Sequence, residues 1–216
     1  MDKKHQVHNL IILDESGSMN NIKQAIIDGF NELVQTIHGI EKKFPEQKHF
    51  ISFITFNSLE QKWLHFMQPA SKLKQIDDEK YKPGGFTPLF DTMGLSFQKL
   101  KTALENESDY DVLVTILTDG LENASKEYTG NNIKKIIKEL KQNRWTFTYI
   151  GTDHDIEKTA ISLSITNTLA FKKDKDSIQK MFNAEKIAVE KYCKKLHSEK
   201  KDFSKHFDSD DKIEKS

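Results

Sequence analysis

Asp14, Ser16 and Ser18 occupy alternate residues of one short polar segment that follows an apolar run. Alternate positions of an extended chain project to the same side, so these three oxygens can face one centre. A second carboxylate, Asp119, follows the most continuously apolar run of the chain, and a further hydroxyl, Thr87, lies in Gly84-Gly-Phe-Thr-Pro-Leu89. Gly84 and Gly85 give that loop backbone freedom for a close approach. All five side chains offer only oxygen. Such a set suits a hard divalent cation, Mg2+ or Mn2+, whereas zinc or copper prefers nitrogen or sulfur. Asp14 and Asp119 would repel one another if brought together ionised, and a bound cation removes that cost. Each residue alone has a plainer use, as a helix cap or, for Asp119-Gly120, a turn. It is their conjunction that points to metal.

The elements that would position them alternate along the chain. Residues 7–13 form a β-rich run, and a helical pattern follows over residues 19–40, with Ile22, Ile26, Phe30, Leu33 and Ile37 on one face. Residues 49–56 and 62–66 read as strands joined by the turn-prone Asn57-Ser58. Thr87-Pro88 has the form of a helix start, with threonine at the cap and proline in the first turn, ahead of Leu89, Met93, Phe97, Leu100 and Leu104. Residues 111–118 read as a central strand buried on both faces. A helix over 131–142, a strand over 145–150, a short helix over 155–163, a strand over 168–171 and a final amphipathic helix over 175–197 complete the series. Strands alternating with helices predict a three-layer, doubly wound α/β fold, with a mostly parallel sheet and helices on both faces. Ligands of such sheets bind beyond the carboxyl ends of the strands, where the strand order reverses. Residues 198–216, rich in Lys, Asp and Glu, read as a solvated, disordered tail on a domain spanning 1–197.

Asp14-Glu-Ser-Gly-Ser-Met19, the Gly84–Leu89 loop and Thr118-Asp-Gly120 with Asn123 together resemble the metal-ion-dependent adhesion site of a von Willebrand factor type A domain. The resemblance covers roughly residues 5–197 in element order. It implies a Rossmann-like sheet of six strands, with the short strand near 62–66 antiparallel at one edge. It also implies Mg2+ or Mn2+ held directly by Ser16 and Ser18, through water by Asp14 and Asp119, and by Thr87 in either manner. The open coordination position would accept water or an acidic side chain of a protein partner. Phe86 departs from the small residue common before Thr-Pro, and would either narrow the site or give it an apolar rim. The function implied is a non-enzymatic, metal-dependent protein-interaction module. The alternative within the same resemblance is a regulatory subunit of a cytosolic ATPase or stress-response assembly.

Composition narrows the remaining classes. Thirty-three basic and thirty-three acidic residues balance, so the electrostatic footprint of a nucleic-acid binder is missing. No apolar run approaches the roughly 18 residues of a membrane span, and no secretory leader is recognisable, which predicts a cytoplasmic chain without membrane contact. The single cysteine, Cys193, excludes an intrachain disulfide and is read as a small residue on a helix face. The eight histidines are scattered and read mostly as surface residues, and the lysine-rich stretches 134–141 and 172–175 as solvated faces and turns. Phosphate-loop, dinucleotide and nucleophile-elbow motifs are absent. A magnesium-dependent phosphatase with Asp14 as nucleophile would want a second acid where Ser16 stands.

Overall fold

Val7–Leu13, apolar but for His8 and Asn9, lies at the centre of the sheet in the computed structural model, which describes residues 4–152, 156–196 and 206–207. This strand, β1 (His5–Asp14), is followed by a 3-10 segment (Gly17–Ile22), α1 (Lys23–Lys43), β2 (Gln47–Phe56) and β3 (Gln61–Pro69). Then come α2 (Leu89–Ala103), β4 (Tyr110–Leu117), α3 (Gly130–Lys141), β5 (Trp145–Thr152), α4 (Ile156–Ser162), β6 (Asn167–Phe171) and α5 (Lys175–Lys195).

The six strands are ordered β3-β2-β1-β4-β5-β6. All pairings are parallel except β2 with β3, which is antiparallel at the edge. The predicted doubly wound, Rossmann-like sheet is therefore the observed one. Edge strand β3 is longer than the predicted 62–66 and irregular, with register shifts near Phe53 and a positive φ at Met67. Such irregularity discourages edge-to-edge pairing.

Alternation along β1 divides the core. Val7, Ile11 and Leu13 face a layer containing α1 and α5, while Leu10 and Ile12 face α2, α3 and α4. Side chains buried on both faces explain why β1 and β4 are nearly continuous apolar runs rather than alternating ones. Each fully buried Leu, Ile or Phe contributes about 1.5–3 kcal/mol over its exposed state, so the two layers hold the strand ends in fixed register.

Two local expectations are corrected. The helix predicted from residue 19 begins as 3-10 turns and becomes α only at Lys23, because the serine-rich segment before it is drawn into loop contacts. Thr87 does not cap α2: Pro88 holds the N-cap position without a side-chain bond, so the Thr87 hydroxyl is not spent there. Most of residues 198–216 lies outside the described residues, but His206 and Phe207 are described and both are buried. The His206 amide donates to Asn167 Oδ1 at 3.0 Å, so these two residues are seated against the sheet. No described helix is long and apolar enough to cross a membrane.

Candidate metal centre

The reversal in strand order falls between β1 and β4. Their register pairs Leu13 with Leu117, which brings Asp14 beside Thr118 at the carboxyl ends. Thr118 Oγ1 donates to Asp14 Oδ2 at 2.6 Å, and the Ser16 amide donates to Asp14 Oδ1 at 2.7 Å. The Ser16 and Ser18 hydroxyls lie 3.1 Å apart, and Ser18 Oγ donates to Asp119 Oδ1 at 2.5 Å. Thr87 reaches the same place from its own loop. A Cβ built on Gly120 would lie 3.4 Å from Thr87 Oγ1, 3.6 Å from Ser18 Oγ and 3.9 Å from Asp14 Oδ2. The structure thus gathers all five residues singled out by the sequence around one small cradle.

Backbone bonds fix the loops to each other. Gly17 N donates to Gly85 O at 3.0 Å and Gly84 N to Glu15 O at 2.9 Å, so the serine segment and the glycine loop are laced together. Gly85 has a φ of +69°, and an added Cβ would fall 2.6 Å from Ser58 Oγ, so a side chain here would be strained and crowded. Asn123 Oδ1 accepts from the Thr87 amide at 2.8 Å and holds the third loop against the second. Glu15, between Asp14 and Ser16, is buried. Its carboxylate takes Lys62 Nζ at 3.3 Å and the Lys82 amide, tying the edge strand to the glycine loop. Tyr81 Oη donates to the Asp14 carbonyl at 2.7 Å from a fully buried position.

The electrostatics are unbalanced. Burial pushes the Asp14 carboxyl up to about 6; the donors Thr118 and Ser16 pull it back, and neighbouring Asp119 raises it further. Asp119 Oδ2 is buried without a well-aligned hydrogen-bond donor, and lies 2.8 Å from the Lys173 ammonium. Two buried carboxylates with hydroxyls beside them are the all-oxygen chemistry that a small hard cation favours, and these residues could hold one. Among the described residues no three His, Cys, Asp or Glu side chains gather as metal ligands, so a cation here would depend on the hydroxyls. Asp14 is fully buried with both oxygens engaged, a poor arrangement for a nucleophile that must meet phosphorus.

Lys173 is the residue that sequence reasoning missed. The lysine-rich stretch 172–175 is predicted from sequence to be solvated, yet Lys173, in the connection between edge strand β6 and α5, places its ammonium 2.8 Å from Asp119. No sequence spacing signals such a contact. Phe86, by contrast, resolves toward the rim: it is 66% exposed, with Leu59 at 81% and Leu121 at 64% on the neighbouring loops.

Residues 10–184 match the model of the von Willebrand factor type A domain. Among solved structures, proximal thread matrix protein 1 from the mussel byssus is similar at 16% identity with a TM-score of 0.58, covering 88% of this chain and 47% of that one. A mutant of the PilB minor pilin from Streptococcus sanguinis is similar at 10% identity and TM-score 0.61, covering 92% and 64%. The type V pili tip protein Mfa5 domain from Porphyromonas gingivalis is similar at 11% and 0.57, covering 87% and 97%. The chain spans from about half to two thirds of the first two of these. Among curated proteins none matches.

Proposed function

The chain belongs to the von Willebrand factor type A family, and from that premise we propose that it is a protein-interaction module whose metal site engages an acidic side chain of a partner. The observation that carries this reading is the convergence of Asp14, Ser16, Ser18, Thr87 and Asp119 on the Gly120 cradle. Bound Mg2+ or Mn2+ would supply a positive centre with an open coordination position for a carboxylate. Ser16, Ser18 and Thr87 would hold it with neutral oxygens, leaving most of its charge to the partner. Asp14, fixed by Thr118 and the Ser16 amide, and Asp119, fixed by Ser18, would orient the bound waters.

Leu59, Phe86 and Leu121 favour a partner surface over a small molecule. Exposed large apolar side chains beside a charged centre resemble an interface in which a polar anchor is surrounded by contacts that exclude water. The pilus and byssus proteins named above share the fold, and their settings agree with a role in adhesion or assembly.

The test is calorimetric titration of Mg2+ and Mn2+ into the chelator-treated chain, beside Asp14→Ala and Ser16→Ala. Saturable binding that both substitutions abolish is expected. An intact chain that takes up neither ion would overturn the metal-dependent reading and leave the five residues a structural role.

A further inference from the structure

Asp119 already has a cation of its own. Its carboxylate is wholly buried at 0% exposure, yet Lys173 Nζ stands 2.8 Å from Oδ2 on a side chain that is 42% exposed. The other oxygen, Oδ1, takes the Ser18 hydroxyl. We infer that Lys173 is a resident counter-ion of the site, neutralising Asp119 in the metal-free chain, and that a divalent ion must compete with it. This inference rests on the metal-dependent reading above.

Three observations support it. The first is need. Asp14 and Asp119 are both buried, and their charges disfavour each other, so the metal-free site is stabilised by any positive group that reaches it. The second is placement. Lys173 lies between the end of β6 at Phe171 and the N-cap of α5 at Asp174, and both flanks are pinned. Lys172 N donates to Ser177 Oγ at 2.8 Å, Asp174 N to Lys172 O at 2.8 Å, and Ser177 N to Asp174 Oδ1 at 2.9 Å. The backbone beneath the lysine is thereby held, and only the flexible stem has to move. The third is asymmetry of exposure. The half-exposed ammonium can withdraw into water without an unmet desolvation cost, whereas the buried carboxylate cannot follow it.

The chemistry of the exchange is simple. A divalent ion brings two positive charges and a water shell that can bridge to Asp119, where Lys173 brings one charge and no acceptor. In the metal-bound state Lys173 would be a second cation beside the first, disfavoured on Asp119 and free to turn outward. Apparent metal affinity is the intrinsic affinity reduced by the fraction of chains in which Lys173 has left.

The experiment compares the full chain with Lys173→Met, Lys173→Arg and, as a control for net charge, Lys175→Met. Each is stripped with chelator and titrated with Mg2+ by calorimetry, and the thermal midpoint of each metal-free form is recorded. Lys173→Met should bind Mg2+ about tenfold more tightly, as expected when the lysine occupies the site in some nine chains of ten. Its metal-free midpoint should fall, because two buried carboxylates lose their counter-ion. Lys173→Arg should return both quantities toward the parent values, and Lys175→Met should leave the affinity unchanged. Equal Mg2+ affinity in the parent and Lys173→Met would overturn the counter-ion role while leaving the metal site intact. Failure of both to bind Mg2+ would instead overturn the metal-dependent reading, and this inference with it.

Discussion

The two ends of β1 and β4 carry buried carboxylates in opposite conditions. At the amino end, Asp111 is 3% exposed and meets His5 Nε2 and Arg144 Nη2, each at 2.9 Å, while His5 Nδ1 lies 2.8 Å from Asp109. At the carboxyl end, Asp14 takes the Thr118 hydroxyl and the Ser16 amide and Asp119 takes the Ser18 hydroxyl, with Lys173 the cation seen on Asp119. One end encloses its charges in a closed network and the other holds anions that still attract positive charge. On the proposed metal-dependent reading, the same strands present a structural terminus and a receptive one. What separates them, among the described residues, is how many cationic groups reach the acids: His5 and Arg144 both meet Asp111, whereas Lys173 meets Asp119 and Asp14 takes only the Ser16 amide and the Thr118 hydroxyl.

The largest effect that separates the ends is acid lability, and it belongs to the closed one. Burial lowers both His8 and His49 to about 4, so each is neutral in the folded chain. Unfolded, each would take up a proton near pH 6.5. Stability is therefore fully present above that value and is lost as pH falls toward 4, by about 2 kcal/mol for each histidine at pH 5. His5 has the opposite sign. Its hydrogen bond to Asp111 raises it against the effect of burial, with Asp109 adding to the rise, so its contribution is present below pH 6.5 and fades as pH climbs through the raised value. Thermal midpoints measured from pH 8 to pH 5 should show the acid loss. His8→Phe, which keeps the ring stacked 4.9 Å from Phe50, should remove about half of it. An unchanged acid limb in that variant would mean that His8 is already charged in the fold.

A smaller loss is expected from Asp111→Ala. Removing the acceptor leaves His5 and Arg144 without their buried partner. Because Arg144 is itself 40% exposed and can turn to solvent, the cost is about 2 kcal/mol, below that of breaking a fully buried pair. Urea unfolding should show it as a lower midpoint with an unchanged slope. Mg2+ affinity should be unaffected, since the substitution lies at the far end of β4. A weakened metal site in Asp111→Ala would show that the two ends are coupled through the strands.

How far each end could be read from the sequence follows from the range of the contacts. Asp14, Ser16 and Ser18 are local in the chain, and the alternating strands and helices place Thr87 and Asp119 beside them once the sheet is doubly wound. The juxtaposition of these five residues and the strand pattern were therefore legible. The closed end was not: His5, Asp109, Asp111 and Arg144 come from three separate stretches, and no spacing marks them as partners. For the same reason His8 and His49 looked like surface residues, although the interior positions of β1 and β2 bury them. Lys173 was hidden by a different cause. A lysine in a charged turn is ordinarily solvated, and Lys173 departs from that through its contact with the buried Asp119 carboxylate, which comes from a distant part of the chain. Burial of Cys193, whose thiol is pushed up to about 12, agrees with the helix-face reading and makes it unreactive.

Ser18→Ala carries the smallest structural effect and the sharpest contrast with Asp111→Ala. The Ser18 residue is exposed, and its hydroxyl serves only Asp119 Oδ1 and Ser16 Oγ within the site. Loss of that donor should lower metal-free stability by under about 1 kcal/mol, a shift of about 2–3 °C in a domain of this size. The loss is limited because Lys173 continues to neutralise the same carboxylate. Mg2+ affinity should nevertheless fall by about tenfold or more, since a neutral oxygen ligand and the group that orients Asp119 are removed together. Saturating Mg2+ at about 100 times its Kd should stabilise the parent chain by about 2.7 kcal/mol, and the variant by much less at the same concentration. Both arms are read in one thermal series with and without metal. If Ser18→Ala instead lost as much metal-free stability as Asp111→Ala and kept its Mg2+ response, the carboxyl end would be a closed structural network like the amino end. The hydroxyls would then be there to hold the loops, and not to receive a cation.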